Sequence, residues 1–393
     1  MRMNSRIDSR IIVCHVLNRF DIGGMENGVV NICNRLDHDR FKPIVCCLNA
    51  LGPMAKRLNP SVQAYCMDYS KGFKLKDVIE LALFFKRSKV DIVHTHAWGG
   101  GSLYGILAAK LARVPVVING EHGRFFSKSH QIIAQKIIYS LCDINLSVSE
   151  SLKKRVNTII GLPLPRIKVI RNGVDTEKFN GNYPKEEIIE RLRSEGYAID
   201  NQSFHVIAIG SLKPEKAPMM LLHTLKRLLM ESPSMKLKVI FIGDGPDREK
   251  MTNYIKIEGL NDAVFLLGNR ADVPELLCLA DVLVSTSISQ HEGLSNVMLE
   301  AMSSGIPVLA TRSVGAAELI KDGVNGFLVD SNDETMLAER LKQLYQDTEL
   351  LRSLGKSART LILEQYSIEH MIRGYEKLYL DLMYKRDQVI SDM

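Results

Sequence analysis

The chain has 393 residues, of which 24% are charged and 46% hydrophobic. These are globular proportions, and they exclude a disordered, collagen-like or disulfide-scaffold chain. The net charge of +6 is uneven: residues 1–181 hold 27 Lys and Arg against 14 Asp and Glu, so the first half is basic and the remainder acidic. No apolar run approaches the roughly 20 residues that span a bilayer. The opening "MRMNSRIDSRIIVCHVLNRF" is basic, but its apolar run is broken at His15 and Asn18, unlike a signal peptide. The seven cysteines are odd in number and contain no C-x-x-C pair. They read as free thiols in a reducing compartment, and a cytoplasmic location is expected.

In chain order, strand-like apolar runs alternate with helical patterns. The first half offers "IIVCHVLN", "KPIVCCLN", "VQAYCM", "DIVHTH", "VPVVING", "INLSVS" and "IKVIRN" as strands, with helices such as "LKDVIELALFFKRS" between them. Residues 180–203 are polar, contain Pro184 and hold one charged helix, which predicts an interdomain connection. A second alternation follows with "FHVIAIGSL", "LKVIFIGDG", "AVFLLGN", "DVLVSTS", "IPVLAT" and "GFLV", and the chain ends in helical patterns. Strands alternating with helices predict parallel sheets covered on both faces. Two such series predict two Rossmann-like, doubly wound domains. In such sheets ligands bind beyond the carboxyl ends of the strands, so a central cleft between two facing domains is where chemistry is sought.

Several motifs fall at those carboxyl ends. Gly23 and Gly24 open a helix after the first strand, where glycine lets the backbone approach an anion; a plain turn is the alternative. "VHTHAWGGG" holds His94, His96 and the only tryptophan, Trp98. The H-x-H spacing suggests a metal, but a site needs further ligands and no carboxylate cluster accompanies it, so no metal is expected. His122 in "NGEHGRFF" is placed to exchange a hydrogen bond, or is a satisfied loop histidine. Lys213 and Lys216 follow Gly210 in a proline-containing turn and suit a diphosphate; a solvated turn is the commoner use of lysine. Gly243 and Gly245 give G-x-G without the third glycine of a nicotinamide fingerprint, and read as a tight turn near a ligand.

The stretch "HEGLSNVMLEAMSSGIPVLAT" carries Glu292 in a loop and Glu300 on the second turn of a helix that Ser295 is expected to cap. The neighbours of Glu300 are apolar, so amphipathicity does not explain it. Half-buried carboxylates accept hydrogen bonds, and sugar or ribose hydroxyls are suitable donors. A capping or ion-paired acid at each position is the alternative.

Together these segments resemble the retaining glycosyltransferases of family four. The strongest part is "SQHEGLSNVMLEAMSSGIPVLATRSVGAAELIKDGVNGFLV", supported by "IGGMENG", "HTHAWGG", "EHG", "VIRNGVDTEKF", "IGDGPDREK" and "YSIEHMIRGYEKLY". The resemblance implies a GT-B fold with an acceptor-side domain over residues 1–182, rejoined by the last helix 368–393, and a nucleotide-sugar domain over 183–367. It implies that Glu300 bonds the ribose and Glu292 the donor sugar. It further implies that amides over Gly293, Leu294, Ser295 and Asn296 support sugar and diphosphate, that Lys216 neutralises the diphosphate, that His122 sits beside the sugar, and that Gly23 and Gly24 lie over the phosphates. His96 and Trp98 are assigned to the acceptor side.

Two departures stand out. Ser211 occupies the place where the family usually has arginine, and Lys213 is the nearby cation; a lysine lacks arginine's bidentate fork. Ser295 stands where proline is common. The implied reaction is transfer of a sugar from a nucleotide sugar to a glycan or lipid-linked acceptor in surface polysaccharide synthesis, with retention and without a metal cofactor. A nucleotide-sugar epimerase or hydrolase, a dehydrogenase, and a non-catalytic nucleotide-sugar-binding protein remain as other readings. The basic first half suggests peripheral contact with an anionic membrane rather than nucleic acid.

Overall fold

The computed structural model describes residues 10–69, 72–96, 101–121, 128–288 and 294–391. They form two compact units, residues 1–172 with 369–393 and residues 173–368. All thirteen expected strands are present, and every pairing is parallel.

The first unit runs β1 (Ile11–Arg19), α1 (Gly24–Arg35), β2 (Phe41–Ala50), β3 (Gln63–Cys66), α2 (Leu75–Arg87), β4 (Ile92–His96), α3 (Ser102–Ala112), β5 (Val116–Glu121), α4 (Ser129–Ser140), β6 (Ile144–Ser147), α5 (Glu150–Ile160) and β7 (Ile167–Val169). Its sheet order is β3-β2-β1-β4-β5-β6-β7. The strands are apolar on both faces because helices cover both. One core joins the sheet to α2, α3, α4 and α5 through residues such as Leu81, Phe85, Ile106 and Val156. A second lies under α1 through Val29, Val30 and Cys33. Six of the seven cysteines are buried in these interiors and that of the second unit; Cys66 is exposed, and none is bonded to another.

The second unit runs α6 (Lys185–Ser194), β8 (Phe204–Ile209), α7 (Pro218–Glu231), β9 (Leu237–Ile242), α8 (Arg248–Ile257), β10 (Val264–Leu266), α9 (Val273–Leu277), β11 (Val282–Ser285), α10 (Asn296–Ser303), β12 (Val308–Thr311), α11 (Val314–Leu319), β13 (Gly326–Val329), α12 (Glu334–Gln346) and α13 (Thr348–Gln365). Its sheet order is β10-β9-β8-β11-β12-β13. The last helix, α14 (Ile368–Ser391), is counted with the first unit from residue 369 onward.

The polar stretch over 180–203 is not a free connection. Ile188, Ile189 and Leu192 of α6 are buried in the second core. Arg191 pairs with Glu275 and, at 2.7 Å, with Asp272, while Arg270 bridges Glu195 and Asp272. The charge pattern that looked like a linker is the solvent side of a packed helix. Residues 173–182, expected in the first domain, also belong to the second unit. The amide of Ile368 donates to Val174 at 2.8 Å, that of Val174 to Tyr366 at 2.9 Å, and Phe179 is buried there.

In the first unit β1 and β4 pair so that His15 lies opposite His94. Residues two apart on a strand share a face, so His96 joins them. His15 Nδ1 is 3.0 Å from His96 Nε2, and His94 Nδ1 is 2.9 Å from the Tyr379 hydroxyl of α14. Tyr375 lies tilted against the His94 ring and Tyr379 meets it edge-on, which seats α14 on the sheet. Burial pushes the His15 pKa down to about 3, so its ring is neutral.

Candidate active site

In the second unit the strand order reverses between β8 and β11, the switch point at which open parallel sheets bind ligands. A pocket opens there, lined among others by Gly210, Ser211, Lys216, Thr286, Ser295 and Val297. Three local devices build it.

The first is the crossing of two loops. Gly243 holds φ at +132°, a region that disfavours side chains, and a Cβ there would lie 2.0 Å from the Gly210 carbonyl oxygen. A Cβ on Gly245 would lie 2.3 Å from the Leu212 carbonyl oxygen. The amides of Leu212 and Asp247 then bond across, to Asp244 and Leu212. The "IGDG" glycines therefore allow the close approach of one loop to another, beside the pocket that Gly210 and Leu212 line.

The second device is the turn that carries Lys216. A short 3-10 turn, Pro214–Lys216, leads to Ala217 at φ 42°, a left-handed conformation costly for a residue with a side chain. The end of β11 holds it in place. The Thr286 hydroxyl donates to the Lys216 and Ala217 carbonyls at 2.8 and 3.0 Å, and the Ile288 amide donates to Glu215 at 3.1 Å. Ser287 also donates to Glu215, and Thr311 donates to Ser287 at 2.6 Å. Strain of this kind persists where surroundings over-determine it. These hydroxyls were missed in the sequence, although "VSTS" at the end of an apolar strand was the visible signal.

The third is the start of α10. Ser295 occupies the N-cap position as expected, but its hydroxyl caps no amide and it lines the pocket instead. Leu294 is buried and Asn296 half-buried at the helix mouth. Glu300 lies one turn further on, with buried Met298, Leu299 and Ala301 around it. Loss of solvent pushes its pKa up to about 7, and nearby Lys178 partly opposes this.

Ser211, Lys216 and Ser295 thus meet in one pocket, whereas Lys213, among the described residues, is not part of its lining. Glu292, Gly293, His122 and Trp98 lie outside the described residues. In the first unit a Cβ on Gly23 would lie 2.3 Å from the Glu26 carboxylate, so the space above α1 is filled by that helix's own third residue. Gly24 begins α1. His96 is 2% exposed and engaged with His15. His15, His94 and His96 bring ligand atoms within 4.8 Å of one another. The expectation of no metal rested on a missing further ligand, which pairing of β1 with β4 supplies as His15. No acid joins the three among the described residues, and an unbalanced divalent charge in this interior would be costly. The geometry suits a neutral hydrogen-bonded cluster.

Comparison with known proteins gives this pocket a context. Residues 190–361 match the family of glycosyl transferases group 1, and residues 22–178 match glycosyltransferase family 4. The putative glycosyltransferase EpsD of Bacillus subtilis is 31% identical over 333 residues, covering 80% of this chain and 84% of that protein. The chain belongs to the group 1 glycosyltransferases. The Escherichia coli UDP-Gal:alpha-D-GlcNAc-diphosphoundecaprenol alpha-1,3-galactosyltransferase is 28% identical over 389 residues, 95% of this glycosyltransferase and 98% of the relative. A glycosyltransferase from Rickettsia africae shares the fold at a TM-score of 0.84 and 20% identity, with 95% of this chain and 99% of that one covered. The GT-B fold of two parallel sheets with alternating helices is therefore the architecture of this enzyme.

Proposed function

We propose that this glycosyltransferase moves a hexose, with retention, from a uridine diphosphate sugar to a lipid-diphosphate-linked glycan during surface polysaccharide assembly. The observation that carries the donor side is the braced Lys216 turn opposite the start of α10, at the switch point of the second sheet. Lys216 and the first amides of α10, over Leu294 to Asn296, provide positive potential for a diphosphate. Ser211 provides a hydroxyl where arginine is usual, and Lys213 adds charge two residues further on. Glu300 takes the ribose hydroxyls, a role that favours its ionised form and draws its pKa back down on binding. Glu292 and His122 position the donor sugar.

In the transfer step the acceptor oxygen approaches the anomeric carbon on the face from which the diphosphate departs. The carbon–oxygen bond to phosphate breaks with its electron pair on the phosphate, and the acceptor proton passes to that departing oxygen. The new glycosidic bond then keeps the anomeric configuration. Lys216 stabilises the charge as it develops, so it acts more on the transition state than on the bound donor.

The acceptor side rests on likeness to the Escherichia coli relative, whose name gives a diphosphoundecaprenol acceptor, and on the basic first half. Both suit an enzyme working at the cytoplasmic face of an anionic membrane. The test is a thermal-shift panel of nucleotide sugars followed by assay of nucleoside diphosphate release. A ligand that binds only the folded state raises the melting temperature. No shift with any uridine diphosphate sugar, or a shift with another nucleotide alone, would overturn the proposed donor.

A further inference from the structure

His96 was expected on the acceptor side, but it is buried against His15 and offers no open surface to a sugar. The carboxyl ends of the first sheet, where open parallel sheets bind ligands, carry a different feature. Just past the end of β3 and against the first turn of α3, three aromatic rings run from the core to the surface. Tyr69 is buried in the core that the sheet shares with α2 and α3, and its hydroxyl donates to the Asp77 carbonyl at 2.8 Å. Its ring centre lies 5.9 Å from that of half-buried Tyr104. The Tyr104 ring in turn lies 5.3 Å from that of Phe73, tilted by 38°. Phe73 is 53% exposed.

A single exposed apolar side chain needs no explanation. What sets Phe73 apart is how its backbone is held. The Tyr104 hydroxyl donates to the Gly72 carbonyl at 2.8 Å and accepts from the Lys74 amide at 3.2 Å. One side chain thus grips the residues on both sides of Phe73. Gly72 holds φ at +90°, a conformation that glycine adopts freely. A loop that only covered the core would turn its phenyl inward, whereas this one is tied with the phenyl outward. A side chain ordered in advance loses less freedom when a ligand arrives.

The face of an aromatic ring is electron-rich and attracts slightly positive C–H groups. A pyranose ring offers such C–H groups on its faces, with hydroxyls around its rim. Protein interfaces gather several aromatic anchors and deplete lysine around them. Here Phe73 and the adjacent Leu75, 66% exposed, alternate with exposed Lys74 and Lys76, and lysine ammonium groups are donors for sugar hydroxyls. We propose that Phe73, presented by Tyr104, is a stacking platform for a pyranose ring of the acceptor glycan. This rests on the reading of the acceptor as a glycan and adds the place where one of its sugars lies.

The probes are the methyl α-pyranosides of glucose, galactose and N-acetylglucosamine, read by saturation-transfer NMR on the full chain with uridine diphosphate present. Saturation of ring C–H protons is expected for at least one of them, and Phe73→Ala should weaken its binding about three- to tenfold, the worth of one aromatic contact. Phe73→Leu keeps apolar bulk without an aromatic face and should behave like the alanine variant, while Phe73→Tyr should stay within roughly twofold of wild type. Tyr104→Phe keeps its ring but removes both grips, and should weaken binding about two- to fivefold by freeing the loop. Unchanged melting temperatures would exclude unfolding as the cause. The proposal is overturned if no pyranoside is saturated by wild type, if Phe73→Leu binds as wild type does, or if acyclic sorbitol is saturated equally. A dimer that Phe73→Ala dissolves also overturns it, because the ring then seats on a second copy. The nucleotide-sugar thermal shift separates the two readings. If that shift is present while pyranoside binding ignores Phe73, the platform alone falls; if wild type shows no shift, the donor reading falls whatever the pyranosides do.

Discussion

At the carboxyl ends of β4 and β5 in the first unit, polar side chains bond to one another. Thr95 and Ser102 donate to Asn119 at 3.1 and 2.7 Å, and Asn119 donates to Asn145 at 3.2 Å. Beside β5, Tyr139 donates to the buried Glu121 at 2.7 Å. At the carboxyl ends of β8 and β11 in the second unit, the hydroxyls of Thr286 and Ser287 bond instead to the backbone of the Lys216 turn, and Ser211, Lys216 and Ser295 line a pocket. The two sheets share a topology around their first strand but, among the described residues, use their polar side chains differently. A closed network fixes packing, whereas one that ends in a pocket leaves groups for a ligand.

Removing Lys216 tests that contrast most directly. Thr286 holds the turn through the Lys216 and Ala217 carbonyl oxygens, which Lys216→Ala keeps, so the variant should fold. It should lose roughly 100- to 1,000-fold in turnover, as when one preorganised stabilising group is removed. Nucleoside diphosphate release, measured with the wild-type melting temperature retained, would check this; activity within threefold of wild type would move the catalytic charge elsewhere. Gly243→Ala attacks the same place through the backbone. The added methyl meets the Gly210 carbonyl at 2.0 Å in a conformation unfavourable to alanine. A loss of about 3 kcal/mol of stability is expected, visible in urea unfolding.

These two positions show what the sequence could and could not reveal. Strand number, order of elements and the segments flanking the pocket were legible, because period and punctuation act locally. Lys216 and Ser295 were legible as neighbours of this pocket for the same reason: each stands where a strand-to-helix turn is written in the chain. The purpose of Gly243 was not, since its partner Gly210 is far off in sequence and only the crossing of two loops brings them together. His15 was overlooked beside His94 and His96 because strand register, not spacing, makes it their neighbour. The charged α6 was mistaken for a connection because its buried stripe of Ile188, Ile189 and Leu192 is short and surrounded by acids and bases.

One buried group in each unit should contribute to stability with opposite dependence on pH. His15 has its folded pKa depressed to about 3 against an ordinary 6.5. The unfolded chain then binds more protons between those values, so stability is full above 6.5 and is lost as pH falls. Acidification from 6.5 to 5 should cost about 2 kcal/mol at this site, and His15→Asn should flatten the slope. Glu300 has its folded pKa raised from 4.5 to about 7. Here the folded state holds the extra proton, so stability is full below 4.5 and declines by about 2–3 kcal/mol as pH rises to 7. Glu300→Gln should remove that decline and also the expected gain in nucleotide-sugar affinity between pH 6 and 8. Amide exchange resolved by unit can separate the two trends. Slopes that neither His15→Asn nor Glu300→Gln alters would break the contrast.

The smallest effect is expected where α14 meets the first sheet. Tyr379 is fully buried, its hydroxyl lies 2.9 Å from His94, and its ring stands edge-on to Phe41. Tyr379→Phe keeps the ring and removes the hydroxyl, leaving a buried imidazole nitrogen short of one bond. That should cost about 1–2 kcal/mol. The loss should appear as faster amide exchange in α14 and around β4, while nucleotide-sugar binding by the second unit stays unchanged. If Tyr379→Phe weakened donor binding as strongly as Glu300→Gln, the histidine cluster would be part of the ligand machinery, and the division between a closed first interior and an open second pocket would not hold.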